Sequence, residues 1–157
     1  MPAKADAAGY SGTPLWKKLG WKTGMSLCVM DAPAHYASLM DGPNDWVMVK
    51  KPEGADALHL FITENKDLPK ITALAKHFPP AQMLWVSWPK LSSPLSKGLK
   101  EDHIRETAIA CGLVDVKVCA VDADWSGLKL MLRKGSERRE AHAMRFAVSK
   151  KGQNRLA

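Results

Sequence analysis

The sequence predicts an α/β fold in three layers, with a mostly parallel sheet of about six strands and a C-terminal antiparallel hairpin. Short, almost continuously apolar runs, which suit strands buried on both faces, alternate with segments whose apolar residues recur at helical spacing. Strands that alternate with helices form parallel sheets with right-handed crossovers. The last two strand-like runs are joined by the short segment 123–126, which favours a hairpin over a crossover.

The predicted elements have recognisable start and stop signals. Thr13 is predicted as the N-cap of the first helix, Pro14 as its first residue and Gly20 as the residue just past its end. The predicted strands, in chain order, are 25–30, 46–49, 57–62, 83–88, 114–121 and 127–133. The helices between them are 33–40, which Pro33 opens, a segment that Thr63 caps and Pro79 ends, and a segment from Glu101 to the stop at Gly112.

One histidine and the three cysteines fall inside predicted elements. His59 lies in the apolar run 57–62 and is expected to be a hydrogen-bonded core residue. The cysteines at positions 28, 111 and 119 are scattered and odd in number, which favours buried free thiols over disulfides. The five histidines are dispersed along the chain, so that no metal site is predicted.

Length and composition indicate a single globular domain with short extensions. The chain has 157 residues, of which 46% are hydrophobic and 25% charged, as in ordinary soluble proteins. We expect a flexible N-terminus at 1–8, one α/β domain at 9–134 and a basic C-terminal tail at 135–157. Neither a secretory leader nor a run of roughly 18 apolar residues is visible, which predicts a cytoplasmic protein without a membrane contact.

The positive charge is concentrated at the C-terminus. The net charge is +7, and residues 133–157 hold eight basic and two acidic residues, or +6. Residues 1–132 therefore carry only +1, and a basic nucleic-acid-binding body is excluded on this sum of charges. The tail is a candidate arm for nucleic acid or another polyanion, with binding that would depend on salt and not on sequence.

Several segments resemble known families. Segments 19–27 and 110–116 are similar to the lead-in to the first strand and to the last helix-to-strand turn of class I S-adenosylmethionine-dependent methyltransferases, a Rossmann-like fold whose sheet ends with one antiparallel strand. Segments 8–15 (AGYSGTPL), 84–90 (LWVSWPK) and 112–130 (GLVDVKVCAVDADWSGLKL) resemble the bacterial domain of unknown function 3052 family. That resemblance spans residues 8 to 133 and implies the fold and a bacterial origin, but no established activity.

Two features of an S-adenosylmethionine site are missing from the sequence. A nucleotide-like cofactor needs a glycine-rich turn after the first strand, because the backbone must approach it closely. Here that turn, 31–35, has no glycine, and Pro33 removes one backbone N–H. The second strand ends at 49–52 (VKKP) without the acid that would hold a ribose, and Glu53 is the nearest one. The sequence therefore predicts no cofactor.

Polar and aromatic residues that follow the predicted strands form a candidate site. The carboxyl ends of parallel strands meet at one edge of the sheet, where α/β proteins bind ligands. The segment before the first helix could add backbone N–H groups and hydroxyls for an anion. The candidate binding residues are Tyr10, Ser11, Thr13, Asp31, Ser87, Trp88, Lys90, Asp122 and Trp125. We expect Tyr10, Asp31, Ser87, Lys90 and Trp125 to surround one pocket for a small anionic ligand, with Lys90 as its only fixed cation.

The same residues also have a purely structural interpretation. Asp31 would then cap a helix and Asp122 would form a turn, while Trp88 and Trp125 would pack at the rim. The sequence as a whole favours a non-catalytic module that binds a ligand or a protein. Two alternatives stay open. One is an enzyme with Asp31 or Asp122 as base and Lys90 as anion holder, and the other is a nucleic-acid-associated protein that uses the basic tail.

Overall fold

The computed structural model describes residues 13–42 and 45–133, and it confirms the predicted α/β fold. Within these residues the strands are β1 Ser26–Met30, β2 Val47–Met48, β3 Ala57–Phe61, β4 Met83–Pro89, β5 Leu113–Ala120 and β6 Trp125–Leu132. The helices are α1 Leu15–Leu19, α2 Tyr36–Leu39, α3 Pro69–Ala75 and α4 Glu101–Ala110, with short 3₁₀ turns at Pro52–Gly54 and Asn65–Asp67. The predicted flexible N-terminus and basic tail lie outside the described residues.

The strands form one mixed sheet in the order β2-β1-β3-β4-β6-β5. Strands β1 to β4 pair in parallel, whereas β6 runs antiparallel between β4 and β5. The C-terminal hairpin is thus confirmed, and its second strand is inserted into the sheet rather than added at its edge. Because Trp125 pairs with Pro89, the hairpin turn lies at the edge where the parallel strands end, which is called the carboxyl edge below.

The two faces of the sheet are covered differently, since successive side chains of a strand point to opposite sides. Helices α3 and α4 cover one face, called the α3–α4 face, where Leu60, Val86 and Ile104 are fully buried. The other face, called the α1–α2 face, is covered by two shorter helices and is rich in aromatic side chains. There the indole N–H of Trp85 donates to the Leu19 carbonyl at 2.8 Å and ties α1 to the centre of the sheet.

The ends of the first helices differ from their predictions. Pro14, and not Thr13, is the N-cap of α1, because its ψ of 146° keeps it outside the helix while its carbonyl accepts the N–H groups of Lys17 and Lys18. Gly20 ends the helix in the left-handed conformation as predicted, with a φ of 85°. Helix α2 is a single turn that begins only at Tyr36, and no side chain caps it.

All three cysteines are free, and Cys28 is buried as predicted, whereas Cys111 and Cys119 are partly exposed because they lie at the end of α4 and on the edge strand β5. Within the described residues, none of the helices is both long and apolar enough to cross a membrane.

Leu60 and Val86 provide a test of the buried centre of the sheet. Because both side chains are fully buried in parallel strands, Leu60→Ala or Val86→Ala should lower the free energy of unfolding by about 2 to 4 kcal/mol. Urea denaturation measures this loss. The control is Leu91→Ala, at a residue that is 59% exposed, which should change stability by less than about 0.5 kcal/mol. Losses below about 1 kcal/mol at both buried positions would contradict the strand assignments.

Candidate functional site

The carboxyl ends of β1 and β3 define the topological switch point of the sheet. After β1 the chain forms β2 on one side of β1, and it then crosses to form β3 on the other side. Ligands of α/β proteins bind in the crevice that such a reversal of direction creates. Asp31 follows β1 with a φ of 60°, and it is the one non-glycine residue of the described chain with a positive φ. Strained backbone of this kind is common at binding sites.

A lysine from α3 crosses this crevice. Lys70 Nζ lies 3.1 Å from Asp31 Oδ2 and 3.7 Å from Asp67 Oδ1. The hydrogen bond to Asp31 is the main reason why the pKa of Lys70 is raised, so the ammonium group is charged at neutral pH. Asp67 is fixed in turn by the N–H groups of Thr63 and Glu64, and these bonds lower its pKa. Asp31 therefore holds a lysine of the β3–β4 crossover and does not cap α2.

A cavity of about 430 Å³ opens beside this ion pair on the α3–α4 face. Its apolar wall is formed by residues of β1, β3 and α3, namely Met30, Leu60, Ala73 and Leu74. The cavity exists because only a 3₁₀ turn, and no helix, connects β2 to β3. The side chain of Gln82 fixes that turn, since its amide donates to the Pro52 carbonyl at 2.8 Å and to the Ala55 carbonyl at 2.7 Å.

The cavity is polar at its rim. Asp31 and Lys70 lie at the carboxyl edge, while Glu53 and His77 lie near the other end. The sequence placed Glu53 outside the site because a proline separates it from β2, but the fold brings it to the same cavity as Asp31. Lys70 was missed altogether. The signal that could have revealed it is its position in the first turn of the helix after β3, which emerges at the carboxyl edge as every strand-to-helix link does.

A chain of hydrogen bonds is buried on the opposite, α1–α2 face. His59 Nδ1 lies 3.0 Å from the Tyr36 hydroxyl, and His59 Nε2 lies 2.8 Å from Ser87 Oγ. The His59 ring also stacks on Phe61 with their centroids 4.4 Å apart. Both ring nitrogens are thus satisfied, which confirms His59 as a hydrogen-bonded core residue.

Burial controls the protonation of this chain. It lowers the pKa of His59 to about 3 and raises that of the Tyr36 hydroxyl well above its usual value, although the nearby Trp21 indole opposes the shift of Tyr36. Ser87 and His59 have the residue types of a nucleophile and its base. A base with so low a pKa accepts protons poorly at neutral pH, and both side chains are closed off from solvent. We therefore assign this chain a structural role.

A second polar link joins α2 to the hairpin turn. His35 Nε2 lies 2.9 Å from Asp122 Oδ2. The other oxygen of Asp122 accepts the backbone N–H groups of Asp124 and Trp125 at 2.8 Å each. Asp122 is thus the turn former that the structural interpretation predicted. Trp125 is buried against Phe61, and its indole N–H has no hydrogen-bond partner within the described chain.

Within the described chain, the neighbouring candidates Ser87 and Trp88 do not share a pocket. Ser87 and Trp88 are neighbours on β4 and therefore point to opposite faces, so that Trp88 packs in the α3–α4 core while Ser87 is buried with His59 on the other side. The predicted rim position of Ser87 and Trp88 is thus wrong. Thr13 borders a different groove, between α1 and β5. Tyr10 and Ser11 lie outside the described residues, and ligand binding by any of these residues stays a prediction.

Lys90 is held through its backbone at the carboxyl edge. Its N–H donates to the Asp124 carbonyl at 2.8 Å, and the Asp124 carboxylate accepts the Ser93 hydroxyl at 2.9 Å. Lys90 was predicted to be the only fixed cation at this edge, and that prediction is wrong because Lys70 lies there too. Between residues 13 and 42 and between 45 and 133, no group of three or more His, Cys, Asp or Glu side chains could hold a metal ion.

The fold is similar to that of known methyltransferases. An S-adenosylmethionine-dependent methyltransferase from Aquifex aeolicus superimposes with a TM-score of 0.50 and 16% identity, over 75% of this chain and 87% of that enzyme. An O-methyltransferase from neocarzinostatin biosynthesis was solved with S-adenosylmethionine and 2-hydroxy-5-methyl naphthoic acid. It superimposes with a TM-score of 0.51 and 10% identity, over 68% of this chain and 48% of that enzyme. No protein-family model and no curated protein matches the sequence. The protein thus has a methyltransferase-like Rossmann-type fold.

His59 predicts a specific loss of stability in acid. An unfolded histidine has a pKa of 6.5, whereas that of folded His59 is about 3, so between these values the unfolded chain alone binds a proton. The contribution of His59 is therefore complete above pH 6.5 and is lost as the pH falls toward 3. Between pH 7.5 and 5 the loss is roughly 2 kcal/mol.

Urea unfolding of the wild type and of His59→Gln at pH 7.5 and 5 measures this effect. From pH 7.5 to pH 5, the free energy of unfolding of the variant should fall by roughly 2 kcal/mol less than that of the wild type. The control His77→Gln, at an exposed histidine, should keep the wild-type pH dependence. NMR of the His59 ring gives a second measurement, because its resonances should not titrate above pH 5. A His59 ring that titrates near pH 6.5 would contradict the neutral, buried state.

Proposed function

We propose that this protein is a non-catalytic binding module with a methyltransferase-like fold, whose ligand occupies the cavity beside the switch point. The cavity carries the proposal. Its volume of about 430 Å³ falls within the range of roughly 300 to 1,000 Å³ that small-molecule pockets have. Such pockets combine apolar walls with few polar groups, and here Met30, Leu60 and Leu74 provide the wall while the Asp31–Lys70 pair provides the polar end.

The charges around the cavity favour a largely apolar ligand whose net charge is zero or positive. Asp31 and Glu53 bring two negative charges to the lining and Lys70 brings one positive charge. Lys70 is moreover held by Asp31 and by Asp67, which lies just outside the cavity. An anion would therefore have to displace a carboxylate from Lys70. The small anionic ligand expected at Lys90 is not favoured in this cavity.

The residues at the switch point do not fit S-adenosylmethionine well. The turn after β1 carries Cβ atoms at Asp31, Ala32 and Pro33, and Pro33 offers no N–H to a ligand. Asp31 is moreover engaged with Lys70 across the crevice that the cofactor would enter. Catalysis at this site lacks support for a further reason. The Ser87–His59 pair lies on the other face of the sheet and has no access to the cavity.

Calorimetry with S-adenosylmethionine tests the first half of this proposal. We expect a Kd no tighter than about 100 μM, roughly −5.5 kcal/mol, because the turn after β1 cannot approach a cofactor closely. Titration at several protein concentrations between 50 and 500 μM, with adenosine as a control ligand, would detect binding in that range. A low-micromolar Kd for S-adenosylmethionine would overturn the non-catalytic assignment.

A cavity-filling variant tests the second half. Ala73 borders the cavity from α3, so Ala73→Trp should fill it and weaken binding of the neutral apolar dye Nile red at least tenfold. The matched control is Ala110→Trp, at an exposed alanine of α4 that does not border the cavity, and it should bind the dye as the wild type does. Dye fluorescence measures both affinities. Equal affinity for the two tryptophan variants would show that the cavity is not the binding site.

A further inference from the structure

The end of the cavity that lies away from the switch point is built around one carboxylate. Glu53 lines the cavity from the 3₁₀ turn Pro52–Gly54. That turn comes just before β3, so it lies at the edge where the parallel strands begin, opposite to the carboxyl edge. The Gln82 amide donates to the Pro52 and Ala55 carbonyls, one on each side of Glu53. The backbone that carries Glu53 is therefore fixed, although its side chain is exposed.

The protein does not neutralise the charge of Glu53. In the described part of the chain, its carboxylate forms no ion pair and no hydrogen bond. The lysines that precede it, Lys50 and Lys51, do not line the cavity. At the other end, by contrast, the Asp31 carboxylate lies 3.1 Å from Lys70 Nζ. Among the carboxylates and lysines of the lining, one pair is thus compensated and one negative charge is not.

Gln82 adds a second hydrogen-bond acceptor at the same end of the cavity. Its side chain lines the cavity and is 4% exposed. Both hydrogens of its amide are donated to backbone carbonyls, so its oxygen Oε1 is the atom left for a ligand. Within the described residues, Oε1 accepts no hydrogen bond. A ligand that displaces water from this oxygen must therefore supply a donor to it, because an unpaired buried acceptor is costly.

An ammonium group matches these two acceptors. It carries a positive charge and three N–H donors and has no acceptor of its own, so it can donate to the Glu53 carboxylate and to Gln82 Oε1 at once. A hydroxyl lacks the charge, and a carboxylate or phosphate is repelled by Glu53. The wall beyond this end is apolar, with Met30, Leu60 and Leu74, and it suits a hydrocarbon or aromatic body.

We infer that the ligand of this cavity is an apolar primary amine, whose ammonium group is bound by Glu53 and Gln82. The inference rests on the proposed binding function of the cavity and deepens it by naming the class of ligand. The apolar body of the amine lies along β1 and β3 toward the carboxyl edge. Lys70 sets this orientation, because it stays bonded to Asp31 and its positive charge keeps a second ammonium group at the opposite end.

Two fluorescent probes that differ only at the amine test this inference. Monodansylcadaverine is an apolar primary amine, and its N-acetyl derivative has the same body without the charge. Dye fluorescence measures the Kd of both probes, and of Nile red, for the wild type, Glu53→Gln and Glu106→Gln. Glu106 is an exposed residue of α4 that does not border the cavity, so this variant is the matched control. Circular dichroism of each variant verifies that it is folded.

The preference for the amine should depend on Glu53. The wild type should bind monodansylcadaverine about three- to fivefold more tightly than its N-acetyl derivative, as expected for an ion pair with an exposed carboxylate. That ratio should fall to about one in Glu53→Gln and should be unchanged in Glu106→Gln. Nile red, which is neutral, should bind all three proteins equally. A trimethylated form of the amine keeps the charge but has no N–H to donate to Gln82, so it should bind more weakly than the primary amine.

An unchanged ratio in Glu53→Gln, or an equal loss in Glu106→Gln, would overturn the assignment of an amine. A trimethylated probe that binds as tightly as the primary amine would overturn the role of Gln82 and with it the class of ligand. Failure of the underlying cavity proposal gives a different result, because Ala73→Trp then leaves the affinities for Nile red and for the dansyl probes unchanged. If Ala73→Trp weakens the binding of Nile red alone, the cavity proposal stands and this inference is wrong.

Discussion

The α1–α2 face of the sheet depends on one neutral imidazole. His59 stands in the middle of β3, where an unsatisfied polar ring would be costly, and it is stable there because Tyr36 and Ser87 bond its two nitrogens. Those two bonds join α2, β3 and β4. Helix α2 is a single uncapped turn, and a helix so short is not stable by itself. The Tyr36 hydroxyl therefore contributes to holding this helix on the sheet.

That placement of α2 extends to the carboxyl edge. Since Tyr36 is fixed on His59, the preceding residue, His35, lies over the hairpin turn and reaches Asp122, whose other oxygen organises the backbone of the turn. The turn in turn positions Trp125 against Phe61. On the α1–α2 face, contacts thus run without a break from the core to the carboxyl edge. We assign the polar groups among them a structural role and not a catalytic one.

The candidate cavity lies on the opposite, α3–α4 face of the sheet. The cavity exists because the chain makes a 3₁₀ turn between β2 and β3 where a longer crossover would have covered the α3–α4 face.

The sequence by itself determined the strands, their parallel alternation and the closing hairpin, because buried runs and turn residues are local signals. It also identified His59 as a core residue from the apolar run around it. It could not determine which side chains meet. Ser87 and Trp88 lie in the same strand but point to opposite faces, and the partners of Asp31 and His35 lie 39 and 87 residues away.

Only the tertiary structure decided those contacts. The face of the sheet to which each strand residue points, and the direction of each helix, depend on packing against elements that are distant in the chain. Lys70 reaches Asp31 only because α3 begins at the same edge at which β1 ends. The groove that Thr13 and Lys117 line was hidden for a related reason, because it requires that α1 be packed beside β5.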